Sequence, residues 1–180
     1  EAFIRIAKLV KEQPEVDSYY ICLNRSLPNS GNWNGGQFFA DTASITEKKY
    51  VQAQQFQFNP DPNSDMFHTL GMIDANTGKE MSRSREKAEC YVSELFAQKM
   101  FGTTQVVGQK VYTSKEQSWK IMGVFQDMKT RDYNTSLRES APEMYCNSIS
   151  QHSSRALFCT VGQHPLHRHT VIRNSFLSVT

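Results

Sequence analysis

The apolar positions fall into short segments of two different periods. Over residues 1–13, Phe3, Ile6, Ala7 and Val10 recur at helical spacing, with Arg5, Lys8, Lys11 and Glu12 on other faces, and Pro14 closes the predicted helix. Val16 to Leu23, rich in Tyr and Ile, reads as a strand. Residues 24–37 carry Pro28, Asn29, Ser30, Gly31 and the Gly35-Gly36 pair, which predicts a long turn-rich loop or a wide hairpin tip. Gln37–Thr42 and Lys49–Phe58 look extended. In the second, Gln52, Gln54 and Gln55 blur the alternation, so an edge strand or a solvated face is expected. Ser64 to Leu70 suits a short helix, with Ser64 or Asp65 as its cap and Gly71 as its stop, and residues 74–87 read as polar loop.

Beyond that, Cys90–Val92 reads as a short strand. A helix follows over Ser93–Phe101, with Phe96, Ala97 and Met100 on one side and Gly102 as its stop. Lys110–Thr113 and Ser118–Gln126 form a predicted hairpin across Ser114–Gln117, followed by a polar loop over Asp127–Ala141. Glu143–Asn147 and Arg155–Val161 read as strands, and Pro165 opens a last predicted helix with Leu166, Ile172, Phe176 and Val179 as its apolar positions. Strands and helices mix without strict βαβ alternation, so the expected class is α+β.

Composition narrows the partners. A length of 180 residues suits one domain, or two small subdomains sharing a core. Lys+Arg 20 against Asp+Glu 18 leaves no strong field for nucleic acid or anionic lipid, and 11% aromatic content argues against global disorder. No apolar run approaches the roughly 18 residues that span a bilayer. A soluble piece is expected, and Glu1 at the start suggests a mature form or an excised segment. Cys22, Cys90, Cys146 and Cys159 make no CxxC pair and sit in apolar strand-like text. They are expected as small buried residues, with one or two disulfides open in an oxidising compartment and no pairing readable.

The candidate chemistry is thin. His164, His167 and His169 form a dense imidazole group of the kind that binds zinc or copper, but no carboxylate accompanies them and Pro165 disturbs the spacing, so a surface segment is expected. His68 is expected as a partly buried helix residue rather than a catalytic base. Gly102 to Gly108 lacks the Gly-Lys-Ser/Thr of a phosphate loop. The carboxylate pairs Asp61/Asp65, Glu86/Glu89 and Asp127/Asp132 read as solvated loop charges. No serine-nucleophile motif is present.

One stretch is specific. Residues 91–127 read Tyr-Val-Ser-Glu-Leu-Phe-Ala-Gln-Lys-Met-Phe-Gly, then Val-Val-Gly-Gln-Lys-Val, then Trp-Lys-Ile-Met-Gly-Val-Phe-Gln-Asp. This resembles the extracytoplasmic core domain of MacB-type (FtsX-like) ABC transporter permeases, whose pattern is matched at Glu94, Phe101, Gly102, Gly108, Lys110, Gly123, Val124 and Asp127. Weaker echoes are Phe67-His-Thr-Leu-Gly71 with Gly78-Lys79, Pro14-Glu15-Val16 and Pro142-Glu-Met-Tyr145. Ser93 stands where the family usually has Asn, and Val106 where it has Pro. Read physically, Gly102 suits a left-handed helix stop, Gly108 a tight turn, and Gly123 a bulge or close backbone approach.

The resemblance implies a single extracytoplasmic core domain over 1–180: a mixed α/β porter-like subdomain with a smaller β-rich subdomain inserted near residues 24–60. It implies a non-catalytic, cofactor-free part of a permease, at the inner membrane and facing the periplasm. Such a part couples cytoplasmic ATP hydrolysis to export, lipoprotein release or signalling. Its partners would be the transmembrane helices, the ATPase and a periplasmic adaptor or cargo, with the full-length protein a dimer and no nucleic acid involved. If an adaptor or cargo docks, the aromatics Trp33 and Phe38 in the turn-rich region are the expected contacts. Two other classes stay open: a stand-alone ligand-binding or sensor domain, and a metalloenzyme using the His164–His169 cluster.

Overall fold

A computed structural model describes residues 2–23, 35–58, 65–82, 89–128, 142–147, 155–161 and 169–172. Helix α1 (Ala2–Lys11) leads through a short turn into strand β1 (Val16–Leu23), followed by β2 (Gly35–Phe38), α2 (Thr42–Glu47), β3 (Val51–Phe58) and α3 (Met66–Leu70). Then come β4 (Glu89–Ser93), α4 (Glu94–Phe101), β5 (Lys110–Tyr112), β6 (Ser118–Phe125), β7 (Glu143–Asn147), β8 (Arg155–Val161) and β9 (His169–Ile172). Among the described residues the strands form one mixed sheet of nine, in the order β5-β6-β4-β7-β3-β1-β8-β9, with β2 also paired to β3. Strands β4 and β6 are parallel, as are β3 and β7, while the remaining pairs are antiparallel.

The sheet curls because β2 reaches back to β5. Phe39, just after β2, exchanges both backbone hydrogen bonds with Tyr112 at 2.9 Å. Strands β5, β6, β4, β7, β3 and β2 therefore run around a ring. Its interior holds Phe38, Ala53, Cys90, Val92, Val111, Trp119, Ile121, Val124, Met144 and Cys146, joined by Phe96 and Ala97 of α4 and by Val106. Period-2 alternation sends the next residues to the opposite face. There Phe56, Tyr91, Phe125 and Tyr145 meet Tyr20, Met66, Phe67, Met72 and Met81 in a second, aromatic-rich cluster. Phe56 stacks on Tyr145 at 4.5 Å, and Phe125 and Tyr91 make edge contacts with Tyr145 and Phe67.

Several expectations are corrected. Strand β3 is interior, paired to β7 on one edge and to β1 and β2 on the other. It is therefore not an edge; of its glutamines Gln54 is buried, while Gln52 is exposed. Residues 42–47 fold as α2, started by Asp41, whose carboxylate accepts from Ser44 N, and ended by left-handed Lys48. Those backbone donors hold the Asp41 carboxyl below its ordinary pKa. Residues 72–81 are a tight hairpin, with Ile73 bridged to Glu80, rather than loop. The helix expected after Pro165 gives way at His169–Ile172 to β9, which takes up the free edge of β8. Residues 35–58 contribute β2, α2 and β3.

Gly123 shows why sequence detail matters in this sheet. Cys90 pairs Ile121 while Tyr91 pairs Gly123, so Met122 is an extra residue and β6 bulges there. A Cβ on Gly123 would lie 2.6 Å from Met81 Cε and 3.3 Å from Tyr91 Cδ1. The Met81 methyl can swing aside, but the Tyr91 ring is fixed in its cluster. Gly123→Ala is expected to lose about 1–3 kcal/mol as an overpacked site. The check is a drop in urea midpoint at unchanged slope.

Candidate functional site

The eight family-like residues converge on one module built around α4. Ser93, the last residue of β4, caps the helix by accepting from Phe96 N at 3.2 Å, and Asp127, just past β6, accepts from Leu95 N at 3.0 Å. Glu94 lies in the first turn, where the helix dipole favours a carboxylate. Phe101 ends the helix half-buried, and Gly102, at φ 71°, returns its N–H to Gln98 O at 2.9 Å. Gly108, at φ 90°, donates to Ile121 O at 2.8 Å and turns the chain into β5, where exposed Lys110 pairs with Lys120. Val124 is fully buried, and its carbonyl accepts from Ala75 N at 2.8 Å. Each motif residue has a local structural role. The Gly102–Gly108 loop runs from helix to strand, the reverse of a phosphate loop's strand-to-helix order.

The expected partner residues separate. Phe38 is fully buried and meets Phe96 edge-on at 5.8 Å between ring centroids, so it is core and not a contact surface. The reason is the ring closure, which folds β2 inward. Trp33 lies outside the described residues, as do His164 and His167, while His169 begins β9. Among the described residues no group of three or more His, Cys, Asp or Glu is placed to hold a metal ion. Asp65, one of the two expected caps, accepts from His68 N at 3.0 Å, and Asp127, exposed as expected of a loop charge, also accepts from the first turn of α4. Within the described residues no helix is long and apolar enough to cross a membrane.

Two exposed features join side chains far apart in sequence. In the first, the hairpin turn at 74–78 is locked to the loop after α4. Asp74 Oδ1 accepts from Asn76 N and Thr77 N, shaping the turn. Asn76 Oδ1 accepts from Thr104 Oγ1 and Gln105 Nε2, both at 2.8 Å, and Asn76 Nδ2 donates to Thr104 O at 3.2 Å. Val107, 57% exposed, projects from the same loop. The two loops thus form a cross-strutted ledge with Val107 at its tip.

The second is His68. It is exposed rather than partly buried, with Nδ1 2.8 Å from Glu80 Oε1 and Nε2 3.1 Å from Asp17 Oδ2. Both nitrogens are donors only in the imidazolium. The Glu80 carboxylate, and then that of Asp17, raise the His68 pKa above its ordinary 6.5. The three side chains are 45–58% exposed, so the ties contribute less than about 1 kcal/mol. Because the folded pKa is raised, this stabilisation is complete between the carboxylate range and pH 6.5, and is lost as pH rises through the raised value. Thermal melts should show wild type above His68→Gln at mildly acidic pH, with the gap closing in alkali. A gap that ignores pH would mean that the ion pairs contribute nothing.

No protein-family profile and no curated protein sequence matches the chain. Solved structures do. The extracellular domain of the noncanonic ABC-type transporter YknZ from Gram-positive bacteria aligns over 88% of this chain and 72% of its own, with a TM-score of 0.54 at 12% identity. The periplasmic region of MacB from Actinobacillus actinomycetemcomitans aligns over 88% of this chain and 64% of its own, with a TM-score of 0.54 at 13% identity. The fold is that of a MacB-like extracytoplasmic domain. At such identities the likeness is one of fold. It agrees with the motif, among whose residues Asp127 accepts from the start of α4, Gly102 and Gly108 turn the chain and Gly123 lies at the bulge of β6.

Proposed function

We propose that this chain is the extracytoplasmic domain of an ABC transporter permease, a non-catalytic part that couples ATP hydrolysis in the cytoplasm to events outside the membrane. The observation that carries the reading is the agreement between a fold shared with two such domains and a sequence motif consumed by that fold. In this reading the permease's transmembrane helices and ATPase are the obligate partners, the complete protein is a dimer, and the domain faces the periplasm. Helix α1 suits a mechanical input. It lies against β1, its end extended by hydrogen bonds from Glu12 N to Lys8 O and Gln13 N to Val10 O, and Val16 N, which opens β1, donates to Gln13 O. A displacement of α1 would therefore act on an interior strand. The output is contact with cargo or an adaptor, for which the Asn76–Thr104–Gln105 ledge with Val107 is one candidate among the described residues.

The test is the coding sequence on either side of Glu1 and Thr180. Apolar spans of about 20 residues on both sides support the permease reading. A signal peptide upstream with a stop codon downstream overturns it in favour of a stand-alone ligand-binding or sensor domain.

A further inference from the structure

Cysteine spacing gave no pairing, but the sheet does. Strands β4 and β7 run antiparallel and set Cys90 directly opposite Cys146. Both are fully buried thiols in the same cluster, so both face the ring interior. Directly opposed residues in an antiparallel pair stand about 4.5–5.5 Å apart at Cα, inside the roughly 4.4–6.8 Å that a disulfide bridges. Cys22 and Cys159 have no such relation. In the β1–β8 register Cys22 pairs Ala156, and Cys159 pairs Tyr19.

We propose that Cys90 and Cys146 are a cross-strand redox pair that closes to a disulfide while the domain folds. The proposal rests on the extracytoplasmic reading only for its oxidising compartment. The step needs a disulfide oxidant, either a small-molecule disulfide or the active-site disulfide of a folding oxidase. One cysteine thiolate attacks it, forming a mixed disulfide and expelling one thiolate. The second cysteine, as thiolate, then displaces the other. Two protons leave the cysteines, their sulfurs are oxidised to one S–S bond, and the oxidant is reduced to two thiols.

Burial fixes when this happens. Neither sulfur is reachable in the folded domain, and burial pushes the Cys146 thiol up to about 12, opposed by the amide of Gln55, whose Nε2 donates to Sγ at 3.2 Å. A protonated, covered thiol does not exchange. The bond therefore forms before the ring closes around α4, and once formed it is protected from reductant.

The experiment compares two samples treated with oxidised glutathione: chain refolding from the reduced, denatured state, and chain already folded and reduced. Both are acid-quenched, alkylated, digested and mapped by mass spectrometry. The expected result is a dominant Cys90–Cys146 linked peptide from the refolding sample and alkylated thiols at both positions from the folded one. The linked protein should melt roughly 5–15 °C above its reduced form, and a Cys90→Ala chain should lose that oxidant-dependent shift. Alkylated thiols at 90 and 146 after oxidative refolding overturn the proposal, as does linked protein that lacks native circular dichroism. Protein acid-trapped directly from cells separates the two readings. A linked peptide in the tube with thiols in the cell leaves the pair standing and counts against the extracytoplasmic location.

Discussion

Phe38→Ala is expected to cost about 3–5 kcal/mol, as for other large-to-small changes of a fully buried aromatic. For a chain of this length that lowers the melting temperature by roughly 10 °C or more. The ring sits edge-on to Phe96, where α4 meets the curled sheet, so its loss opens a cavity between two elements. A double-mutant cycle with Phe96→Ala should return a coupling of about 0.5–1.5 kcal/mol. The consequence for function is specific. Any loss of partner binding in Phe38→Ala should track unfolding, and should recover at a temperature where the variant is folded. A variant as stable as wild type would show that Phe38 is not held in the core, and would restore it as a contact residue.

The difference between the two views of Phe38 illustrates what was legible. Local signals carried far. Asp65 as one of two candidate caps, Gly71 and Gly102 as helix stops, and the β5–β6 hairpin all depend on residues within a few positions of each other. What failed depended on neighbours distant in sequence. The glutamines of β3 look like an edge until β7 and β2 cover both sides, and Gln55 finds its partner in the Cys146 sulfur, 91 positions away. Helix α2 buries no side chain and is defined by its two caps, so no hydrophobic period announced it. The strand β9 was lost to a helical reading because the free edge of β8, not the Thr170-Val171-Ile172 run alone, sets its conformation. The motif was legible as a pattern and silent as a site: its glycines and acids fix the module, while the exposed ledge at Asn76 and Val107 lies beside it.

Ser93→Ala is expected to destabilise by about 2–4 kcal/mol, out of proportion to the single oxygen removed. That oxygen accepts from two backbone donors, Phe96 N at 3.2 Å and Glu143 N at 3.1 Å, within a side chain only 1% exposed. The first bond is the helix cap, worth about 0.5–2 kcal/mol. The second ties the start of β7 to the β4–α4 junction, and a buried N–H left without an acceptor costs about 1–3 kcal/mol. Asp127 still accepts from Leu95 N in the variant, so α4 should persist while its anchoring to β7 weakens. Hydrogen exchange should therefore quicken at Phe96 and Glu143 before it does elsewhere in the ring. Asp41→Ala provides the contrast. It removes a cap from exposed α2 that ties no second element, and should cost clearly less than Ser93→Ala. Ser93→Thr keeps the hydroxyl but adds a methyl at a buried position, so it should recover part of the stability lost in Ser93→Ala. If Ser93→Ala instead melts within a degree or two of wild type, the hydroxyl does not hold both donors, and another group, such as an ordered water, must join α4 to β7.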